Sequence, residues 1–396
     1  MNSVKSLVTL LGGATLALAS NDITILDAKS PQFLLGQATH INMLFNAQDT
    51  QGMWLKMGIR VQSSLENSVT ATDSQWDLYM RRTRLEVEAG FTPLTFFTMD
   101  IRNDKVNADD AGEGSFSLGD AYLTVKKPFD TSWLNFKLYR AKIDVSRTQT
   151  VKSAYVIMYD RPAISDEAAQ FISHNRRATN LQAYGHIDHK IAYQIALGDA
   201  TQSSKLHDAN TLALSKATSN KTITKQSLFV GGSVTLSPFE GWEEKSKTET
   251  YFGQGKHAAL GIGAWHVPSI TREGGDTFSR TLLNLQASAH YEGLFVQAEY
   301  FYFDGVVRSW NSALALGQSN GGYVTGEWVI PAWGYIAPFG RYENWNRFIN
   351  EAGYNSSVKT VGFNWYLRGN TTKLGLNYSL ESSNESTFRV TSQWFF

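Results

Sequence analysis

The side chains in this 396-residue sequence with the most obvious chemistry are cationic. Arg60 lies in LKMGIRVQ, and Arg82 and Arg84 lie in RRTRLEVE. A guanidinium keeps its charge at physiological pH and forks two N–H groups onto an oxyanion, so three on neighbouring elements would form a basic track. A second set lies in RAKIDVSRTQTVKSAYVIMYDRPAISD, which sets Arg140, Lys142, Arg147, Lys152 and Arg161 against Asp144, Asp160 and Asp166. Folded across an aqueous passage, this segment would gather anions at the narrowest point, where a few charges outweigh the whole-chain balance. The plainer reading pairs the same cations with Glu86, Glu88 and Asp144 on a solvated wall. With 36 basic and 36 acidic residues there is no overall field to attract nucleic acid, and no nucleic-acid partner is expected.

Other chemistries find little support. The sequence has no cysteine, which removes disulfides, thiolate metal sites and a cysteine nucleophile. His186 and His189 are three apart in a strand-like stretch, lack the glutamate of a metalloprotease helix, and would point to different faces. No G-x-S-x-G string marks a nucleophile elbow. Asp109, Asp110 and Glu113 have the chemistry of a divalent-cation loop, but ordinary loop solubility explains them more simply. No catalytic residue, metal ligand or cofactor is expected, and the chain is read as a non-enzyme.

The elements that must position the cations alternate with period two. In WLKMGIRVQSSLE, Leu55, Met57, Ile59, Val61 and Leu65 share one face and Lys56, Arg60, Gln62, Ser64 and Glu66 the other. RLEVEAGF, DAYLTVK, HKIAYQIALGD, GLFVQAEYFYF, KTVGFNWYL and KLGLNYSLE repeat the device up to the last residues. Strict alternation turns Arg81 toward the apolar side, so it must lie near a rim or at a bulge. Short turns such as RGNT alternate with long polar loops such as 201–222, as in a barrel whose two rims face different compartments. Trp54, Trp133, Tyr193, Trp265, Trp328, Trp365 and Trp394 fall near strand ends, where girdles or core packing would use them. The spacing from Trp54 to Phe396 accommodates about 16 strands of about 10 residues each. The expected fold is all-β: a transmembrane antiparallel barrel, wide enough for an aqueous channel, with an inner loop narrowing the pore.

The N-terminal MNSVKSLVTLLGGATLALAS carries one cation, Lys5, an apolar stretch too short to span a bilayer, and the small-x-small sequence Ala17-Leu18-Ala19. It reads as a signal peptide over 1–19, followed by a periplasmic or mouth segment over 20–53 and the barrel over 54–396. In the closing STFRVTSQWFF, Phe388, Val390, Ser392, Trp394 and Phe396 share one face and Arg389, Thr391, Gln393 and Phe395 the other. A last strand ending on Phe396 resembles the terminal signal by which barrel assembly machinery recognises outer-membrane proteins.

Several strings resemble the phosphate-selective porin O and P family. LKMGIRVQ is similar to that family's first strand and RRTRLEVE to its second. DAYL at 120–123, GGYVTGEW at 321–328, RYE at 341–343, VGFNWYL at 361–367 and LNY at 376–378 keep the family's order. The resemblance spans the chain after residue 53. The middle departs from it: YRAKIDVSR keeps Lys142 without the usual glycine and phenylalanine, and a glutamate-arginine pair becomes Asp160-Arg161. The resemblance implies an outer-membrane porin, a homotrimer in outer-membrane lipid, and phosphate or another oxyanion as solute.

The reading from sequence is therefore a water-filled diffusion channel for small solutes, preferring small anions. The alternatives are a hydrolase built on an outer-membrane barrel and a secreted soluble β-rich adhesin. The mature chain is expected to begin at Ser20. Deleting Phe396 is expected to lower the amount of assembled protein without lowering synthesis, read by comparing outer-membrane and total yields; equal assembly would remove the address role.

Overall fold

The computed structural model describes residues 23–25, 41–45, 53–106, 115–173, 177–188, 190–200, 223–239, 248–252, 256–308, 313–349 and 351–395. Phe396, residues 1–19, the acidic group at 109–113 and His189 lie outside them. Two short strands, β1 (Ile23–Ile25) and β2 (Ile41–Phe45), precede the wall. The first wall strands are β3 (Trp54–Val69), β4 (Ser74–Gly90), β5 (Thr95–Val106), β6 (Ser117–Val125), β7 (Asn135–Lys142), β8 (Arg177–Ile187) and β9 (Ile191–Asp199). After the short β10 (Ile223–Gln226) come β11 (Leu228–Leu236), β12 (Lys256–Arg272), β13 (Thr277–Tyr291), β14 (Leu294–Val307) and β15 (Leu316–Trp328). The wall ends with β16 (Ile336–Asn346), β17 (Asn355–Asn370), β18 (Thr372–Glu381) and β19 (Ser386–Phe395).

Strands β3 to β9 and β11 to β19 pair antiparallel with their neighbours, β9 bonds to β11, and β19 bonds back to β3. The result is a closed antiparallel barrel of 16 strands, which leaves the wall without an unpaired edge. Of the segment before Trp54, β2 adds to the start of β3 and β1 to β2. No helix is long and apolar enough to cross a membrane among the described residues.

Alternation decides the faces. Ile195, Leu197, Leu260, Ile262, Leu285, Leu294, Val361 and Phe363 are exposed on the outside, while Gln182, Gln297, Glu299, Asn364 and Gln393 between them are buried inside. The terminal strand divides in the same way, with Val390 and Trp394 outward and Thr391, Gln393 and Phe395 inward. Trp133, Trp328, Trp333, Trp365 and Trp394 are exposed around the rim where β3 begins and β19 ends, called here the terminal rim. Amphipathic rings suit the boundary between hydrocarbon and water. Trp265 does not join them: it is mid-strand in β12, inside, and buried.

Two segments enter the barrel. Residues 143–173 run inward from the opposite rim and carry a single turn, α1 (Arg147–Thr150), and a longer helix, α2 (Ala163–Ile172). Ile164, Ala168, Phe171 and Ile172 fall on one helical face and pack against Trp265, Phe301, Phe303 and Trp345 of the wall. Phe171 meets Phe303 edge-to-face at 5.3 Å. Gly321 makes this close approach possible, since a Cβ there would collide with Ile164. From the terminal rim, residues 248–252 reach inside as well, and Thr248, Glu249, Thr250 and Tyr251 are buried. One side of the lumen is thus filled by a buried apolar core.

Leu285 sits in the middle of β13 on the outer face, level with Ile262 and Tyr300. Leu285→Arg is expected to cost about 2–4 kcal/mol in refolding titrations in lipid vesicles. Glu273→Arg in the exposed link 273–276 is expected to change stability by under about 0.5 kcal/mol.

Candidate functional site

The inner loop crosses the lumen as irregular backbone from Val151 to Arg161, so its carbonyls need partners other than a ladder. The wall supplies them from side chains. Gln393 donates to the Ala154 carbonyl (3.1 Å), Lys373 to those of Val156 (2.8 Å) and Ile157 (3.2 Å), and Asn364 also to Ile157 (2.9 Å). Arg82 donates to the Tyr159 carbonyl (2.8 Å) and Arg341 to that of Asp160 (2.9 Å). Each donor sits on an inward position of β4 or β16 to β19, so the register of the wall sets the path of the loop.

The tip is held by charge. Asp160 pairs with Arg81 and accepts from Arg389 Nη1 (2.5 Å), and Arg389 also pairs with Glu66 (2.8 Å). Arg81 reaches this site because the β3–β4 pairing shifts between Gln62 and Ser63: Gln62 lies opposite Arg82, Ser63 opposite Met80, and Arg81 is the extra residue. Burial alone would raise the Asp160 pKa, but Arg81, Arg389 and Arg82 outweigh it and hold the carboxyl well below its usual range.

Wall carboxylates fasten the other parts. Glu299 accepts from the Ser146 hydroxyl (3.0 Å), the Thr148 N–H (3.1 Å) and the Tyr323 hydroxyl (2.5 Å). Glu343 accepts from the Ala163 N–H (2.7 Å), meeting one of the free donors at the start of α2. Glu249, from the opposite direction, accepts from the Thr148 hydroxyl (2.7 Å) and the Ile157 N–H (2.8 Å), while its own N–H donates to Tyr155 (3.1 Å). Thr250 in turn bonds Glu327, which also accepts from Tyr366 (2.6 Å) and Asn364 (2.8 Å). The two inward segments are therefore joined to each other as well as to the wall. Between them remains a void of about 10 Å³, no more than a single water.

The cations singled out from sequence meet different fates. Arg60, Arg82 and Arg84 face inward, and Arg60 lies directly opposite Arg84. Arg60 pairs with Glu86 (3.2 Å), Arg84 with Asp104 (2.8 Å) and Asp100 (3.6 Å), and Arg82 donates to Gln62 (2.9 Å) as well as to the loop. Arg147 is buried and donates to Gln297 (2.6 Å) and the Thr248 carbonyl (2.7 Å), joining the loop to the segment from the terminal rim. Arg161 donates to the Thr148 (2.7 Å) and Val151 (2.6 Å) carbonyls and closes the turn of α1. Lys152 pairs with Glu86 (3.1 Å) yet stays half exposed, and Lys142 lines a cavity beside β5 to β9. Arg140 stands apart: it lies opposite Ala121 and Thr179, on the outward face of Leu138 and Leu181, and donates to the Gly119 carbonyl (2.8 Å).

Glu249, Glu299, Glu327, Glu343, Lys373 and Arg389 carry much of the anchoring and were not singled out as site residues from sequence. Their only local signal is a charged side chain on the inward register of a strand. Glu249 lacks even that, because it sits in a link between strands. Among the described residues no group of histidine, aspartate and glutamate is arranged to hold a metal ion.

Solved structures similar to this chain are bacterial outer-membrane proteins. The outer membrane channel DcaP of Acinetobacter baumannii superposes with a TM-score of 0.59 at 11% identity, covering 88% of this chain and 99% of that one. OmpF of Salmonella typhi, solved with daunomycin, gives 0.58 at 12% identity over 87% and 98%. The fold is that of the bacterial outer-membrane porins. The anion-selective porin from Comamonas acidovorans gives 0.57 at 12% identity over 87% of this chain and all of that one. In sequence, an uncharacterized protein of Aquifex aeolicus is 23% identical over 360 residues, 82% of this chain and 81% of that protein. No family model matches.

Because the Asp160 pKa is depressed, its clamp contributes above the ordinary carboxylate pKa of about 4 and is lost only as pH falls through the lower folded value. Single-channel traces of the native protein are expected to stay quiet through about pH 4 and to flicker only at still lower pH, as Asp160 takes up its proton. Asp160→Asn, losing charged hydrogen bonds worth about 1.5–3 kcal/mol each, is expected to flicker already at neutral pH. Identical traces for the two proteins would remove the clamp.

Proposed function

We propose that the chain is a diffusion channel of the bacterial outer membrane that passes small solutes and prefers anions. The observation that carries this reading is the position of 143–173, folded inside a closed 16-strand barrel and fastened across one side of the lumen. A porin-like wall with an internal loop has a reason to exist only if something passes beside the loop. The remaining lumen lies against β5 to β9 and β11 and is faced by Lys142 and by Lys152, whose side chain is 52% exposed. Arg60 and Arg84, inward but paired, add a polarised wall behind Glu86. Because the lumen walls have low dielectric, cations at this level act on every passing ion, whereas outer-loop charges are screened within about 8 Å at physiological salt.

The sequence resemblance to the phosphate-selective porins supports an oxyanion as solute and a homotrimer as the assembled form. The departure around Lys142 leaves phosphate as one oxyanion among several. The exposed outer band supports contact with outer-membrane lipid, and the terminal aromatic run supports recognition by the barrel assembly machinery. A non-enzymatic role fits a site in which the acidic residues are spent on anchoring rather than left facing a substrate.

In planar bilayers under a salt gradient, the purified protein is expected to give a reversal potential of the anion-selective sign. Lys142→Gln with Lys152→Gln is expected to reduce the chloride-to-potassium permeability ratio several-fold. Lys205→Gln with Lys216→Gln, in the long 201–222 link, is expected to leave it nearly unchanged. A cation-selective native channel would reject the anion preference.

A further inference from the structure

The inner loop stands between two spaces of different kinds. On one side, Asp144, Thr150 and Lys152 line an open chamber of about 630 Å³ bounded by β5 to β9 and β11. On the other, Thr148, Tyr155 and Ile157 bear on residues 248–252, and the void left between the two segments is about 10 Å³. The width of the open side therefore depends on what stops the loop from moving back.

Most of that backing comes from Glu249. One carboxylate oxygen accepts from the Thr148 hydroxyl (2.7 Å), the other accepts from the Ile157 N–H (2.8 Å), and the Glu249 N–H donates to the Tyr155 carbonyl (3.1 Å). A single residue thus braces the loop at three points spread over ten positions of its chain. Tyr251 fills the space beside it, in a buried cluster that joins Ile157 and Met158 of the loop to Phe295 and Phe339 of the wall.

The bracing segment belongs to no ladder: residues 248–252 form neither strand nor helix. Its far end is seated by Phe252, which meets Tyr366 edge-to-face at 5.0 Å and packs with Val329 and Ala337. Those partners flank the turn between β15 and β16, at the terminal rim. Phe252 has a φ of +53°, a left-handed conformation that a bulky side chain keeps only where its surroundings over-determine it. The backing is therefore a separate piece, fastened to the loop by one carboxylate and to the rim by one ring.

We propose that Glu249, seated by Phe252, is a positioning residue for the passage: the link from the terminal rim is a stop that sets how far the inner loop stands from β5 to β9, and so the largest solute that passes. This rests on the diffusion-channel reading and adds to it a size limit governed from the terminal rim. With the stop withdrawn, residues 148–157 retreat into the room that Thr250 and Tyr251 now fill, and the chamber widens at Thr150 and Lys152.

The test uses a lock that opens and closes in one assembled protein. Tyr155 and Glu249 are joined by a backbone hydrogen bond and the chain has no cysteine, so Tyr155→Cys with Glu249→Cys can be bridged by oxidation and freed by a reductant. Single-channel conductance is read in planar bilayers, together with the largest polyethylene glycol that still enters and lowers it. The oxidised channel is expected to match the native one on both counts. On reduction, conductance is expected to rise by about half and larger polymers to enter. Phe252→Ala, which leaves the polar contacts of Glu249 in place, is expected to shift both readings in the same direction, and decides alone if the bridge does not form. Unheated gel mobility identifies any variant that does not assemble. Asp160→Asn, which loosens the loop tip without touching the stop, is expected to flicker at an unchanged size limit. Equal readings before and after reduction with a native-like Phe252→Ala, or a size limit moved as far by Asp160→Asn, would overturn the stop alone. A native protein that inserts without conducting would reject the channel reading and the stop with it.

Discussion

An irregular backbone inside a membrane barrel must find a partner for each of its carbonyls, and nearly everything else in this molecule follows from how that is met. Between Ala154 and Asp160 the partners are side chains of the wall: Gln393, Lys373, Asn364, Arg82 and Arg341. A buried carbonyl left alone would cost as much as a lost hydrogen bond, so the inward register of β4 and β16 to β19 and the path of the loop specify each other. Charged donors make the bonds stronger than neutral ones would be. The consequence is that Arg82, Arg341 and Lys373, inward-facing cations all, serve the loop.

This arrangement divides the lumen. On the side of β12 to β16, α2 packs its apolar face onto Phe301, Phe303 and Trp345 in a buried apolar cluster. On the side of β5 to β9 and β11 the lining is polar and cationic. The chain as a whole is balanced at 36 basic and 36 acidic residues, yet the balance is not local: Glu249, Glu299, Glu327 and Glu343 are committed to anchoring, while Lys126, Lys137, Lys142 and Lys152 face the open volume.

The barrel was legible because alternation is a local signal. Leu294, Val296 and Tyr300 against Gln297 and Glu299 is enough to place β14 and both of its faces. Arg81 was legible as a contradiction, and the bulge opposite Gln62 resolves it. Trp265 was not, because an aromatic reads the same whether it meets lipid or a loop packed from inside. Arg140 looked like a lumen residue within a basic segment, but it keeps the phase of the outward Leu138, whereas Lys142 two residues on, at the end of β7, reaches the cavity. Glu249 was hidden for a different reason. Its role exists only when two links, entering from opposite rims and separated by about a hundred positions in sequence, meet in the middle.

Because the sequence contains no cysteine, single cysteines report on the loop without interference. The decisive measurement is the rate at which a membrane-impermeant thiol reagent modifies Lys152→Cys and Val156→Cys in the assembled protein. Lys152 is half exposed to the open side, whereas Val156 is 2% exposed and its carbonyl is bound by Lys373. A clamped loop predicts fast modification at 152, with a fall in current, and protection at 156 by at least a hundred-fold. Equal, rapid modification at both positions would mean that the wall does not hold the loop.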